Sequence, residues 1–412
     1  AHQKFIIETY SRGSSANNHL IGEMAGLYIS SFYWPVFNES KSWNSRAKQI
    51  LEEQLINQNY SDGVNKEQAF SYQIFVLEFG ILSILTDSAN FLLATKEMIC
   101  KMSDVAYKLR EIVGYLPNYG DGDEGRAIQI LPLQEDRLDW LLSLTNQFME
   151  KSYSVDPNLA DYLFESYELE TSVESEEQLF LSVDAGLFAK KWSVGTNQFS
   201  TLVDFGALGM GSLAAHGHSD ALSFVLSINN RPINVDTGTY CYHDNLEFRE
   251  YFRGTKGHNT VIIDGRDQSQ QIGPFLWGSR ANVKLLELDS EAGIISASHD
   301  GYNMQGVTHT RRFQMKNKGL NILDTIEGTG NKHLEIRFHL HPSLEIEIDE
   351  PGICSILPDV SIRFPDILEA SILKGESVGG WYSPNFGTKE ESCTLVLSQT
   401  LSLPVNLEIE IN

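Results

Sequence analysis

The chain has 412 residues, of which 42% are hydrophobic and 21% are charged, and this composition is typical of a folded globular protein rather than a disordered one. The length exceeds what one hydrophobic core usually serves, so the sequence predicts two or three domains. Lys and Arg number 31 against 55 Asp and Glu, which gives a formal net charge of −24. A field of that sign repels polyanions, so the composition excludes non-specific binding of nucleic acid or of an anionic membrane.

The cysteines and the apolar runs exclude further classes. The four cysteines lie far apart and form no C-x-x-C pair, so we expect neither a disulfide scaffold nor a cysteine zinc site. No stretch reaches the length of about 18 apolar residues that a transmembrane helix needs, so the sequence predicts no membrane span. No signal-type apolar run follows the first residues, and because an initiator Met is missing we interpret the chain as processed or as a fragment.

From about residue 16 to residue 168 the apolar residues recur with helical spacing. Leu20, Ile21, Met24 and Leu27 follow the i, i+3, i+4 pattern in the first segment. Several segments are apolar over much of their circumference, which predicts a layered array of antiparallel helices. The predicted helices are residues 18–34, 43–56, 66–85, 89–112, 137–150 and 158–167.

From about residue 178 the apolar period changes to two, which is typical of strands. A dozen or more strands without interleaved helices predict a large antiparallel sandwich. The acidic stretch 165–177 separates the halves, so the predicted fold is α+β, with a helical domain at 1–168 and a β domain at 169–412. The named strands are 178–182, 186–193, 200–205, 222–228, 232–236, 259–264, 281–288, 293–299, 309–315, 320–327, 334–341 and 344–348.

Polar residues cluster most densely in the β half. His216 and His218 form a His-x-His pair, and on a strand such a pair projects both imidazoles to one face. Asp236 ends one predicted strand and His258 begins another. Two histidines and a carboxylate at strand ends suit a zinc site, which would leave one histidine for acid–base chemistry. Hydrogen-bonded loop histidines are the open alternative.

Three segments of the helical half carry a second set of polar residues. Asn18 and His19 open a helix with Glu23 one turn on, and helix capping explains such a start equally well. Tyr72 lies on a mostly apolar helix, where a tyrosine is usually a core residue. The loop 118–126 has an Asp spacing that suggests calcium, but it lacks the length and the terminal Glu of an EF-hand, so we interpret it as structural or substrate-lining.

Taken together, these segments resemble the motifs of the heparinase II/III-type polysaccharide lyases. The resemblance covers roughly residues 10–280 in the order that the family shows, and it implies an incomplete (α/α) toroid followed by a multi-layered β-sandwich. Only 17 residues precede Asn18, so either the toroid is short or the chain is truncated. The matching segments are residues 14–23, 67–72, 120–126, 216–220, 236–240 and 253–261.

The resemblance also implies roles for individual residues. Asn18 and His19 match the pair near the substrate carboxylate, while Tyr72 and His216 match the acid–base residues. A second catalytic tyrosine is Tyr240 or, on the same motif, Tyr242. The implied ligands of a structural zinc ion are His218, Asp236 and His258. The predicted substrate-binding residues are Glu23, Arg126, Tyr242, Arg253 and Trp277.

The implied chemistry is β-elimination on a uronic acid. The proton at C5 is weakly acidic, so hydrogen bonds from Asn18 and His19 would neutralise the neighbouring carboxylate. A base then removes that proton and an acid protonates the leaving oxygen. A tyrosine has an ordinary pKa of about 10, which favours Tyr72 as acid and His216 as base, with the opposite assignment left open.

Two other function classes stay open. A glycoside hydrolase needs two carboxylates flanking the bond, and Asp121, Asp123 and Glu23 are available. A non-catalytic glycan-binding protein of an exopolysaccharide system is the other alternative, because a fold does not fix a function. The expected partner is an acidic polysaccharide or oligosaccharide, for a monomer or homodimer. The resemblance implies a periplasmic or secreted bacterial protein.

Overall fold

A computed structural model of the chain describes residues 1–128, 136–156, 160, 178–356, 359–376 and 378–412. It divides into two compact units. The predicted domain boundary at 168/169, the acidic stretch 165–177 and the predicted helix 158–167, apart from residue 160, lie outside the described residues. The first unit comprises Ala1–Lys108, Glu124–Glu176 and Met210–Ser212, and the second comprises Leu109–Asp123, Glu177–Gly209 and Leu213–Asn412.

The helices of the first half follow one another in the order that the apolar spacing predicts. A short helix that the spacing does not predict precedes them. α1 packs on α2, α2 packs on α3 and α4, and α4 packs on α6. The side chain of Asn17 accepts a hydrogen bond from the backbone N–H of His19 (3.1 Å), so an asparagine caps α2. The helices are α1 (His2–Thr9), α2 (Asn18–Tyr33), α3 (Ser40–Asn57), α4 (Phe70–Thr86), α5 (Leu93–Val113) and α6 (Arg137–Met149).

The second unit is built almost entirely from strands, and the helices followed by strands confirm the predicted α+β class. One helix, α7 (Leu246–Arg253), interrupts the strands and was not predicted. The strands are β1 (Leu179–Ser182), β2 (Leu187–Val194), β3 (Asn197–Asp204), β4 (Phe224–Ile228), β5 (Arg231–Asn234), β6 (Val261–Ile263), β7 (Gln271–Gly273), β8 (Leu276–Trp277), β9 (Val283–Asp289), β10 (Ile294–His299), β11 (Thr308–Lys316), β12 (Gly319–Glu327), β13 (Asn331–His339), β14 (Ile346–Glu350), β15 (Ile353–Ile356), β16 (Val360–Arg363), β17 (Glu369–Lys374), β18 (Trp381–Tyr382), β19 (Glu390–Glu391), β20 (Cys393–Ser402) and β21 (Val405–Ile411).

Three antiparallel sheets share one hydrophobic core in this unit. Their strand orders are β1-β2-β3-β4-β5, β14-β15-β16-β21-β12-β11-β10-β9 and β17-β20-β13-β6. Phe224 of β4 contacts Phe313 of β11 and Phe338 of β13, with ring centroids 5.6 and 6.2 Å apart. The core therefore joins a strand from each sheet. Two short pairs, β7-β8 and β18-β19, lie outside these sheets.

Two sequence predictions about the whole chain can be compared directly with the structure. All four cysteines are free thiols, and three of them are buried. Among the described residues, no helix combines the length and the apolar character that crossing a bilayer requires.

Candidate functional site

Three buried side chains of the second unit meet as a candidate metal site. Ligand atoms of His218, Asp236 and His258 all lie within 4.8 Å of one another. Asp236 follows the end of β5, and His258 lies between a 3₁₀ turn and the start of β6, so both residues stand at strand ends as the sequence predicts. Nδ1 of His258 lies 2.9 Å from Oδ2 of Asp236.

The histidine pair of this site does not lie on a strand. His216 and His218 belong to the connection between β3 and β4, so the strand geometry predicted for them is wrong. A glycine separates them because a Cβ at Gly217 would collide with the carbonyl oxygen of Leu208. The two imidazoles nevertheless reach one common partner, the carboxylate of Asp121.

Two nitrogens in this cluster fit a metal ion. Nδ1 of His218 and Nε2 of His258 are buried and have no hydrogen-bond partner. A buried polar atom without a partner costs free energy, on the order of 1–3 kcal/mol. Neutral imidazole nitrogens with a carboxylate are a donor set that zinc accepts. The residues present therefore fit the predicted cofactor.

Asp121 connects the candidate metal site to His216. Its Oδ1 lies 3.0 Å from Nε2 of His218, and its Oδ2 lies 3.3 Å from Nδ1 of His216. Arg249 binds both carboxylate oxygens, at 2.8 Å for the Nη2–Oδ2 pair. Burial alone would raise the pKa of Asp121, but the Arg249 charge and the hydrogen bonds from both histidines and Arg249 hold that pKa well below its usual range.

The two candidate tyrosines of the β half have different neighbours. The ring of Tyr242 lies 4.9 Å from that of Phe275, and Phe275 lies 5.8 Å from the ring of His216. The ring of Tyr240 instead contacts Phe248, at 5.5 Å. Both tyrosines are half-buried. The structure thus links Tyr242, rather than Tyr240, to His216 through one intervening ring.

Two residues predicted to bind substrate lie in the interior. Arg253 has an exposed fraction of 0%, and its guanidinium lies 3.9 Å from the ring centroid of Trp277. Trp277 donates from Nε1 to the carbonyl of Ala214 (3.0 Å) and is itself 6% exposed. Burial and the nearby charge of Arg249 lower the pKa of Arg253 to about 9. Arg253 and Trp277 therefore contact each other and the interior of the unit, and their assignment to substrate binding stays a prediction.

The first unit contains the other predicted catalytic residues. Asn18 is buried, and its amide donates to Oε1 and Oε2 of Glu67, at 3.1 and 2.9 Å. Its backbone N–H also donates to Oε1 of Glu67 (2.9 Å), so Glu67 anchors the start of α2. His19 is exposed on the same turn. Tyr72 lies on α4 with an exposed fraction of 5%.

Glu23 and Arg126, two residues predicted to bind substrate, also belong to this unit. Glu23 accepts hydrogen bonds from the backbone N–H and the hydroxyl of Ser11, at 2.7 and 3.0 Å, so it holds the chain before α2 in place. Arg126 is half-buried in the loop that follows α5.

Three residues of this arrangement have contacts that the sequence does not predict. Asp121 is expected there only as a carboxylate open to a glycoside hydrolase, and Arg249 and Glu67 have no predicted role. The signal that could have found Asp121 is its position between Gly120 and Gly122 in a motif segment. Its backbone N–H donates to the carbonyl of His216 (2.8 Å), a contact that sequence spacing does not reveal.

Comparison with known proteins gives two family matches along the chain. The sequence model described as heparinase II/III-like, C-terminal, matches residues 177–409. The model described as heparinase II/III N-terminus matches residues 1–126.

Curated relatives and solved structures agree with these matches. A heparin-sulfate lyase of Bacteroides thetaiotaomicron is 23% identical over 329 residues, covering 77% of this chain and 45% of the relative. One of Bacteroides stercoris is 23% identical over 301 residues, covering 69% and 41%. A heparinase III structure has a TM-score of 0.74 at 17% identity, covering 100% of this chain and 60% of that one. The chain thus spans less than half the length of these curated relatives, and the structural likeness shows a shared fold.

Proposed function

The chain belongs to the heparinase II/III-like family, and we propose that it is a polysaccharide lyase that cleaves a uronic-acid-containing polysaccharide by β-elimination. The observation that carries this proposal is the position of His216, which a buried carboxylate holds by one ring nitrogen beside a three-residue candidate metal site. A fixed imidazole is the group that proton abstraction needs.

His216 is assigned the role of base. An Nδ1–H donated to Asp121 places the lone pair of the neutral imidazole on Nε2, and that nitrogen accepts the C5 proton. Tyr72 is assigned the role of acid that protonates the leaving oxygen. The electron pair released at C5 forms the C4–C5 double bond as the C4–O bond breaks, so no water is consumed.

Asn18 and His19 are assigned to the uronate carboxylate. Hydrogen bonds to that carboxylate stabilise the charge that develops on it as the C5 proton leaves. The amide nitrogen of Asn18 lies within hydrogen-bond distance of both carboxylate oxygens of Glu67. Its two N–H bonds can be divided between Glu67, which orients the amide, and the uronate carboxylate. Tyr242 is the second tyrosine that we assign to the site, because its ring reaches His216 through Phe275.

Zinc is the proposed cofactor, held by His218, Asp236 and His258. The two orphaned imidazole nitrogens and the neighbouring carboxylate support this assignment. When bound, zinc cross-links the chain segments that contain these residues, which is a structural contribution. His216 lies two positions from one ligand, so the same loop supports both residues.

The arrangement does not favour a glycoside hydrolase. That reaction needs a protonated carboxylic acid as general acid. The Arg249 ion pair keeps Asp121 ionised and buried, and Glu23 accepts two hydrogen bonds from Ser11. Neither carboxylate is therefore placed as a proton donor to a glycosidic oxygen.

The substrate that we propose first is a uronate-containing glycosaminoglycan, because the curated relatives are named heparin-sulfate lyases. A periplasmic or secreted location stays a proposal from the family resemblance. The test incubates the protein with heparan-type, hyaluronan-type and alginate polymers and weighs the products by mass spectrometry. A lyase gives oligosaccharides that are one water lighter than hydrolysis products. Products of hydrolytic mass, or intact polymer throughout the panel, would contradict the proposal.

A further inference from the structure

We propose that Asp121 is the positioning residue that sets the ring orientation and tautomer of both His216 and His218 with a single carboxylate, and that Arg249 clamps this carboxylate. This inference deepens the proposed function. The role of His216 as base rests on the proposed lyase activity, and the role of His218 as ligand rests on the proposed zinc site. It concerns groups of the second unit alone.

The hydrogen bonds between Asp121 and the two histidines have a defined direction. Asp121 is fully buried, and its oxygens lie 3.0 Å from Nε2 of His218 and 3.3 Å from Nδ1 of His216. An ionised carboxylate has only acceptors, so both imidazoles donate to it. The protons of the neutral rings therefore lie on Nε2 of His218 and on Nδ1 of His216.

In each neutral imidazole, the nitrogen that does not donate to Asp121 keeps its lone pair. In His218 the lone pair lies on Nδ1, which is the buried nitrogen without a partner in the candidate metal site. In His216 the lone pair lies on Nε2. One carboxylate thus selects the metal-binding nitrogen of one histidine and the proton-accepting nitrogen of the other. An outer partner that fixes a ligand in this way typically changes metal affinity by about 10–100-fold.

The carboxylate of Asp121 is itself held in place by Arg249. Arg249 binds both of its oxygens and also donates from Nε and Nη2 to the carbonyl of Pro274, at 3.0 and 2.8 Å. The rings of Tyr242 and Phe275 lie 4.9 and 5.3 Å from the guanidinium carbon. The planar fork therefore has a defined orientation, which a lysine ammonium would not impose.

The backbone around Asp121 is held as well. Its N–H donates to the carbonyl of His216 (2.8 Å), and the N–H of Gly122 donates to the hydroxyl of Thr239 (3.1 Å). These two backbone contacts join the loop to His216 itself and to the segment that follows Asp236. The carboxylate cannot turn toward one histidine without losing contacts to the other and to Arg249.

The test uses Asp121→Asn, which keeps the size of the side chain. The two histidines bond different oxygens of Asp121, so in the variant one histidine and one nitrogen of Arg249 would face an amide NH2, which is a donor. We expect the zinc affinity, measured by competition with a chromogenic chelator, to fall by about 10–100-fold. We expect kcat to fall by about 10²–10⁴-fold with a much smaller change in KM, because an imidazole without its orienting carboxylate loses the required tautomer.

A spectroscopic readout separates this role from simple support of the fold. In protein labelled with ¹⁵N in the histidine rings, the wild type should show a protonated Nδ1 for His216, assigned by its loss in His216→Gln. Asp121→Asn should lose this signal while the backbone spectrum stays folded. Tyr119→Phe is the matched control, because it removes a hydroxyl of the same loop that bonds Asp204 at 3.3 Å. We expect it to keep the His216 signal and the zinc affinity.

Failure of this inference can be distinguished from failure of the proposed lyase activity. Wild-type zinc affinity and an unchanged His216 signal in Asp121→Asn would overturn the inference, whatever happens to kcat. Loss of both in a protein that has no lyase activity in its wild-type form would support the inference and remove the proposed function. If Asp121→Asn does not fold, Arg249→Lys replaces it, with a smaller loss of both quantities expected and no loss overturning the inference.

Discussion

The imidazole of His258 and the carboxylate of Asp236 lie 2.9 Å apart, although 21 residues separate them in the chain, and both are buried in the second unit. Each stands just outside a strand, so the ends of β5 and β6 bring them together. This contact joins two segments that are distant in sequence. A metal ion bound by these two residues and His218 would stabilise the unit further.

His258→Ala should lower zinc content and thermal stability together. The change removes one proposed ligand and leaves the buried Asp236 without its imidazole partner, for which we expect a loss of about 3 kcal/mol in the free energy of unfolding. Zinc per chain by mass spectrometry and the Tm measure the two effects. His299→Ala is the control, because His299 is also buried but bonds His309 (3.0 Å) instead. It should lose stability and keep its zinc, whereas unchanged zinc in His258→Ala would refute the metal assignment.

Tyr72→Phe should reduce kcat while leaving the fold intact. The substitution removes one hydroxyl from a ring that is 5% exposed, so packing is preserved and the proposed acid is lost. A loss of about 10²–10⁴-fold is expected for a general acid. Tyr28→Phe is the matched control, since Tyr28 is a buried tyrosine of α2 whose pKa is raised to about 12, chiefly by burial. Equal rates for Tyr72→Phe and Tyr28→Phe would exclude Tyr72 as the acid.

Trp277→Phe should affect stability rather than substrate binding. The change removes the hydrogen bond to Ala214 and weakens the contact with Arg253, at an expected cost of about 1–2 kcal/mol in the free energy of unfolding. KM should change by less than about twofold, because the indole N–H already donates to Ala214 and the ring already contacts the guanidinium of Arg253. A raised KM in a variant of wild-type stability would instead support the prediction that Trp277 binds substrate.

Asp324→Asn should make stability less dependent on acid pH. Burial would raise the pKa of Asp324, but the Arg311 charge and the hydrogen bonds from His309 and Arg311 lower that pKa. The unfolded carboxyl titrates near pH 4, so the folded pair stabilises the unit above that pH and loses this contribution as the pH falls below it.

The measurement is the free energy of unfolding by denaturant, for wild type and Asp324→Asn, both stripped of metal by a chelator. At neutral pH the variant should be less stable by about 3–5 kcal/mol, because Arg311 stays buried without its partner. This difference should shrink as the pH falls below about 4. A difference that stays constant from neutral pH to pH 3 would contradict the linkage.

The sequence predicted the long elements well because their patterns match their burial. Strand β11 alternates buried and half-buried residues along its whole length, so a period of two is visible without a structure. Helix α7 was missed because its buried face includes Arg249 and Arg253, two charged residues at positions where the pattern expects apolar ones. Helix α1 was missed as well, since no side chain caps its start.

The residues of the candidate metal site could be predicted, but the network around them could not. Residue type left open which of His216 and His218 joins Asp236 and His258, and the resemblance to the lyase motifs named His218. Asp121 contacts both histidines from a loop more than 90 residues away, and no periodicity or local spacing encodes such a contact. Its bidentate partner, Arg249, comes 128 residues after it.

The central claim is tested most directly by following ultraviolet absorbance while the wild-type protein and His216→Ala act on uronate polymers. The C4–C5 double bond that β-elimination creates absorbs in this range, whereas hydrolysis products do not. The account predicts a steady rise for the wild type on at least one polymer and a rise at least about 100-fold slower for His216→Ala, with the same folded far-ultraviolet spectrum. A flat trace for the wild type on every polymer, or equal rates for the two proteins, would contradict it.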